Sequence, residues 1–404
     1  MRVEKNSRAM KPDIHYFDHA SMGRPTRSTL ERVHAAVANL AKFNSDGTRE
    51  TLRQFAAVES ARRAVAQLIG ADPSAILLVG NTSQALGTIA TALPCRRGDK
   101  VLLADAEFMG APVAWQGVCR RVGVEMLPVK TRGGVILPDE FAAHADSRTR
   151  AIIISAVQEV SGWRADIAAI REIASRFNAF VIVDGIQEVG ARPVDFRKMG
   201  VDAYIAGGHK WLRSPFGLGF ACFSPRFLEV LDPASQGYLA LAEPDIGWDR
   251  YMEWADRTPF DFPPVRGDAE RLQTGGYPNW LGGVALDAAV SDFLRLKPAR
   301  VWSRIRKLRG RLTDGLRDLG LNFMGGPEPP EDALGGIVTL MLPGGAVAEK
   351  KLVERLARAR IFATLRYVTG VGGIRLAVHE SNTNDDVDTL LDVTRAFIRK
   401  TRKS

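Results

Sequence analysis

Cysteine is scarce: Cys95, Cys119 and Cys222 are the only three in 404 residues. They are too few and too scattered for a disulfide framework or a Cys-x-x-Cys pair, which predicts reduced thiols. The six histidines lack metal spacing: His379-Glu380 begins like a zincin helix, but Thr383 stands where the second His belongs. No metal site is expected. No apolar run approaches the roughly 18–20 residues of a membrane helix, and Met1–Met10 is too charged for a signal peptide, so a soluble, cytoplasmic protein is expected. No Gly precedes a Lys, which excludes a Walker A loop. Gly217-Leu218-Gly219 lacks the third glycine of a dinucleotide fingerprint, and no serine sits in a Gly-x-Ser-x-Gly elbow.

What is present is ordinary globular composition, 46% hydrophobic and 25% charged, with length for two or three domains. The formal charge of +9 is a modest excess that favours acidic ligands. Its one dense stretch, Arg295 to Arg317, could dock nucleic acid. There Trp302, Ile305, Leu308, Leu312 and Leu316 recur at helical spacing, and an amphipathic helix with a solvated basic face is the preferred reading. Neither nucleic acid nor a membrane is expected as a partner.

From Ile76 onward short apolar runs alternate with helical patterns, the signature of a mostly parallel sheet covered by helices on both faces. Strands are predicted at Ile76–Val79, Val101–Ala104, Val124–Val129, Ala151–Ala156, Phe180–Asp184, Asp202–Ala206 and Leu218–Phe223. The last follows its predecessor through a loop and is expected to break the crossover pattern. Helices are predicted at Arg27–Lys42, Glu50–Ile69, Ser83–Leu93, Pro112–Val122, Asp166–Phe177, near Phe196, and at Trp280–Leu296. Gln236–Asn279 reads as irregular and too polar for core. A long helix, strand Gly336–Leu342, helix Glu349–Ala359, strand Gly373–Val378 and helix Asp385–Lys400 then suggest a smaller α+β unit. The expected division is a segment over 1–26, a large α/β domain over 27–285 and a small domain over 286–404.

Polar residues at the C-terminal ends of predicted strands mark where open α/β sheets bind ligands. Phe180–Asp184 ends in an acid with Gln187 three residues on, and Asp202–Ala206 runs into Gly207-Gly208-His209-Lys210-Trp211. A buried lysine is costly as an unpaired ammonium, and less so when its nitrogen is committed to an imine with an aldehyde cofactor. An acid against a pyridine nitrogen keeps such a ring protonated and able to accept electrons. Asn81-Thr82-Ser83 falls at a strand-to-helix junction, where free backbone N–H groups attract a phosphate; read alone, Thr82 or Ser83 is a helix cap.

Asp184-x-x-Gln187, His209-Lys210-Trp211-Leu212 and Pro215-Phe216-Gly217-Leu218-Gly219 resemble the class V aminotransferase group, the cysteine desulfurase-like branch of fold type I pyridoxal-phosphate enzymes. The resemblance starts at Phe17-Asp18-His19-Ala20, passes through Gly80-Asn81-Thr82-Ser83 and ends at Ile374-Arg375-Leu376. It implies a mostly parallel seven-stranded sheet with a smaller C-terminal subdomain, pyridoxal 5'-phosphate as cofactor, and an N-terminal segment packed near the active site. It further implies that Lys210 forms the imine and shuttles the proton, that Asp184 pairs with the pyridinium nitrogen, and that Gln187 bonds the phenolic oxygen. Asn81, Thr82, Ser83 and His209 would hold the phosphate. Phe108 would stack on the ring, Arg375 would clamp the substrate carboxylate, and Glu159 would face a cationic substrate group or turn away. Thr274, in Thr274-Gly275-Gly276, would reach the phosphate of a neighbouring subunit in a homodimer, although Gly276 replaces the family's hydroxyl residue.

Two departures bear on the reaction. Desulfurases carry His at the Phe108 position and a nucleophilic cysteine before the arginine, whereas 360–375 holds no cysteine. The implied activity is that of an enzyme acting on the α-amino group of an amino acid through an imine and an α-carbanion, of aminotransferase type. A β-eliminating C–S lyase, an epimerase and a non-catalytic cofactor-binding protein are the alternatives. Side-chain specificity would sit in Asn44–Arg49 and Gln236–Arg271.

Overall fold

The computed structural model describes residues 14–40, 47–325 and 330–401. Met1–Met10 and residues 44–46 of the Asn44–Arg49 loop lie outside the described residues, while Gly47 already begins the helix Gly47–Ile69.

Seven strands form the central sheet, in the spatial order Ile76–Val79, Gly219–Phe223, Ala203–Gly207, Phe180–Asp184, Thr149–Ser155, Lys100–Ala104, Glu125–Val129. Gly219–Phe223 runs antiparallel to both neighbours, as its short connection requires; the other pairings are parallel. The near-continuous apolar runs follow from burial on both faces. Along Phe180–Asp184, Val181 and Val183 enter one core, with Val65, Ile69 and Leu286 of the helices Gly47–Ile69 and Trp280–Leu296. Phe180 and Ile182 enter the other, with Leu86, Ile89 and Trp115 of Thr82–Ala92 and Gly110–Val122. Each such side chain contributes roughly 1.5–3 kcal/mol when fully buried.

The C-terminal part carries an antiparallel sheet ordered Thr364–Val368, Val371–Ala377, Ile337–Met341, Asn322–Phe323. Pro298–Asp318, Gly345–Arg358 and Asn384–Thr401 contribute Leu308, Leu312, Leu352, Leu356 and Leu390 to its core. The arginine-rich helix is amphipathic as expected, with Arg300, Arg304, Arg306, Lys307 and Arg311 exposed on its basic face, part of which is also bonded within the chain. Arg311 pairs with Asp388 through two bonds, Arg304 donates to the carbonyls of Glu380 and Asn382, and Arg309 is buried. We propose the division at 285/286 as the domain boundary, with Trp280–Leu296 straddling it and packing on the N-terminal helices.

One segment carries no signal in the sequence, and one expectation needs correction. The region between Arg360 and Arg375 is a β-hairpin turning at Thr369 and Gly370, both at positive φ. Its first strand, Thr364–Val368, is a half-buried edge strand without the apolar run that marks the others. Gln236–Asn279 is irregular, yet Ala240, Ala269 and Leu272 are buried, and Glu270 pairs with the buried Arg62.

The N-terminal segment ties the two sheets together. His15–Tyr16 pairs with Ile361–Phe362, the Ala377 N–H donates to the Phe17 carbonyl, and the Gly23 N–H donates to the His209 carbonyl. A Cβ on Gly23 would lie 1.9 Å from the Lys210 carbonyl oxygen, so only glycine permits this approach.

Candidate active site

The C-terminal ends of the parallel strands open along one edge of the sheet, and the residues following them converge there. Asp184 closes its strand, in register with Ser155 and Ile205. Its Oδ1 accepts the Ile186 N–H at 3.0 Å. Burial pushes the carboxyl up to about 6 against that bond and the Lys210 charge. Lys210 follows Ala203–Gly207. Among the described residues its Nζ has no hydrogen bond or ion pair, only the Phe108 ring with its centroid 6.0 Å away. Burial pulls the ammonium down to about 8, while Asp184 and Glu159 support the charged form.

The loop holding Lys210 is fastened on all sides. Trp211 is buried, and its indole N–H donates to Gln187 Oε1 at 2.8 Å. The Gln187 amide donates to the Ala20 carbonyl at 3.0 Å, which leaves one amide hydrogen for a ring oxygen. His379 lies 3.1 Å from the Trp211 carbonyl through Nε2 and takes the Ser381 N–H on Nδ1, so Nε2 carries the proton. Its ring stacks on His19 at 4.4 Å, and burial pulls His379 down to about 3. His379, which opens the zincin-like pair, is thus a neutral brace. Among the described residues no group of three or more His, Cys, Asp and Glu is arranged to hold a metal.

Asn81 caps Thr82–Ala92 through a bond from the Gln84 N–H to its Oδ1 at 2.9 Å. The cap is therefore Asn81 itself, not Thr82 or Ser83. The backbone N–H groups of Thr82 and Ser83 make no hydrogen bond among the described residues and point out of an eleven-residue helix, beside their own hydroxyls. His209 stacks on Phe216 at 4.7 Å, and burial beside Lys210 brings it down to about 4, so its ring is neutral near pH 7. Phe108 is 47% exposed, with one face of its ring toward the Lys210 Nζ. Thr274 is exposed, against the Gly237 backbone, next to Gln273, whose side chain reaches the Leu78 carbonyl. Asn279 caps Trp280–Leu296 and donates to the Gly217 carbonyl.

Arg375 is 1% exposed and faces two carboxylates: Nη1 lies 3.3 Å from Glu159 Oε2 and Nη2 lies 3.4 Å from Asp18 Oδ1. The short contact is with Ser21 Oγ, 2.6 Å from Nη2. Its Nε is buried without a partner among the described residues. Arg366, on the neighbouring strand, also donates to Ser21 Oγ.

The whole chain has relatives. Residues 15–390 match the family described as Aminotransferase class-V. The chain belongs to the class-V aminotransferases. Isopenicillin N epimerase of Streptomyces clavuligerus is 27% identical over 401 residues, covering 96% of each chain. A probable cysteine desulfurase of Pyrococcus abyssi is 24% identical over 423 residues, covering 100% of each. A solved mutant of C-DES, with glycine covalently linked to its PLP cofactor, superposes with TM-score 0.83 at 21% identity over 95% of this chain and 97% of that one. This is an enzyme of the fold type I, pyridoxal-phosphate-dependent class.

The residues present fit such a cofactor. They supply an acid at a strand end, an exposed aromatic face and, among the described residues, a lysine nitrogen without a hydrogen bond and two unbonded backbone N–H groups at a helix start. Three contributors have no signal in the sequence. Glu107 binds Ser155 through the Ser155 N–H at 2.8 Å and its hydroxyl, and burial pushes the carboxyl up to about 7, with Asp184 and Glu159 adding to the rise. Ser21 and Arg366 meet at Arg375 only through the pairing of the terminal hairpin and the N-terminal segment.

Proposed function

We propose that this class-V enzyme takes the α-proton of an amino acid at Lys210 and that transamination is its reaction. The observation that carries the reading is the partnerless Lys210 nitrogen, drawn to about 8 beside a strand-end acid, where a side chain can both bond to a carbonyl carbon and hold a proton near neutrality. Pyridoxal 5'-phosphate, when bound, supplies the aldehyde carbon and an electron-accepting ring. Asp184 holds a proton on the ring nitrogen. Thr82 and Ser83, through backbone and hydroxyl, and the neutral His209 bind the phosphate, with Asn81 orienting the helix. Phe108 would pack on the ring and exclude water, and Gln187 would offer its remaining amide hydrogen to the ring oxygen. Arg375 fixes the substrate carboxylate, so that the α-hydrogen is presented to Lys210 Nζ.

Thr274 serves the phosphate of a second subunit. The exposed Phe216, Tyr277 and Phe260, at 64%, 74% and 85%, are apolar surface that a second subunit would cover. The three free thiols fit a cytoplasmic setting, and no helix among the described residues is long and apolar enough to cross a membrane.

A second reading, epimerisation, is supported by the likeness to isopenicillin N epimerase. A panel of amino acids with and without a keto-acid acceptor separates the outcomes. Acceptor-dependent keto acid supports transamination, α-hydrogen exchange with formation of the opposite α-stereoisomer and no keto acid supports epimerisation, and pyruvate with ammonia in the absence of acceptor supports elimination. A cofactor-loaded protein that exchanges no α-hydrogen with any of them would overturn the reading.

A further inference from the structure

Seven ionisable side chains interact around the candidate site: the cations Lys210, Arg366 and Arg375 and the carboxyl groups Asp18, Glu107, Glu159 and Asp184. Three of the carboxyls have settled partners. Asp184 accepts the Ile186 N–H and faces Lys210, Glu107 is held by Ser155, and Asp18 accepts the Thr364 hydroxyl at 3.1 Å. Glu159 is different. Its carboxylate keeps 19% of its side-chain exposure and bonds, among the described residues, only to Arg375 Nη1, at 3.3 Å. Its charge is felt by Lys210, Asp184 and Glu107, so it stands inside the same cluster.

An arriving α-carboxylate competes for Arg375. Nη2 is held at 2.6 Å by Ser21 and faces Asp18 at 3.4 Å, Nη1 reaches both the carbonyl and the carboxylate of Glu159 at 3.3 Å, and Nε is buried with no partner among the described residues. Of the two carboxylates on Arg375, Asp18 keeps the Thr364 hydroxyl when the guanidinium is taken, whereas Glu159 is the one left without a partner among the described residues. Once displaced, it is a part-buried carboxylate without a partner, which costs free energy unless a cation replaces the guanidinium. A neutral substrate side chain leaves that cost uncompensated, and a second carboxylate adds repulsion.

We propose that Glu159 is the specificity-determining residue of this site and selects α-amino acids carrying a second, cationic group on the side chain, such as an ω-amine or guanidinium. This rests on the reading above, that Arg375 receives the substrate carboxylate of a pyridoxal-phosphate enzyme.

The test uses the cofactor-loaded enzyme with L-lysine, L-ornithine and L-arginine, the neutral isostere L-norleucine, and L-glutamate. Both kcat/KM and the dissociation constant, read from the absorbance change of the bound chromophore, are measured. A charge-assisted contact predicts a preference for lysine over norleucine of roughly 10- to 100-fold. Glu159→Gln should collapse that ratio toward one, Glu159→Asp should retain part of it, and Glu159→Lys should invert it toward glutamate. Equal handling of lysine and norleucine by the unaltered enzyme, or a ratio that survives Glu159→Gln, overturns the inference while leaving the reading of the site in place. A protein that binds no cofactor and shows no chromophore overturns both.

Discussion

Replacing Glu107 by Gln should flatten the acid side of the stability profile of the cofactor-free enzyme. Glu107 rises from 4.5 to about 7 on folding, mainly through burial. A carboxyl whose folded value lies above its unfolded one binds more protons when folded, so stability is full below pH 4.5 and is lost as the pH climbs through 7. At about 1.36 kcal/mol per pH unit the loss is about 3 kcal/mol. Taking about 2.1 cal/mol/K of unfolding entropy per residue over this chain, it lowers Tm by about 4 °C. Glutamine keeps the shape and can still accept the Ser155 N–H and donate to the Ser155 hydroxyl, but it does not titrate. Differential scanning fluorimetry from pH 4.5 to 8 should show the unaltered protein losing about 4 °C more than the variant. Parallel profiles would refute the electrostatic reasoning. Asp184, raised to about 6 by the same cause, leaves a smaller residual slope in the variant.

Asp184→Asn removes the carboxylate that holds the ring proton and should lower kcat by roughly 10²–10³-fold with little change in fold, checked by steady-state kinetics and circular dichroism. Arg375→Lys exchanges a planar fork for a point charge and should raise KM about 10- to 100-fold with kcat less affected. Gly23→Ala drives a methyl into the Lys210 carbonyl, 1.9 Å from the built Cβ, and should cost roughly 1–3 kcal/mol of stability and weaken cofactor retention, measured by urea unfolding and dialysis.

The central sheet was legible because strands buried on both faces must be apolar throughout, and Ile152–Ile154 and Val181–Val183 are. Asp184 and Lys210 were legible as strand-end positions, because one closes such a run and the other stands three residues beyond one. The terminal hairpin was not: Thr364–Val368 is half-exposed, and its pairing is dictated by its neighbour Val371–Ala377. Glu107 reads in sequence as a loop acid, and only the register of Lys100–Ala104 beside Thr149–Ser155 places it on Ser155. The cluster at Arg375 joins residues 18, 21, 159 and 366, separations over which no local pattern carries information. The capping role of Asn81 follows from its extended φ of −169°, whereas the motif alone leaves Thr82 and Ser83 equally eligible.

The central claim is a covalent bond at one nitrogen. Purified enzyme treated with borohydride, digested and analysed by mass spectrometry should carry a single phosphopyridoxyl group on the peptide containing Lys210, and Lys210→Ala should lose both the label and the yellow absorbance. A label on another lysine, or an unlabelled Lys210 in an active enzyme, would contradict the account.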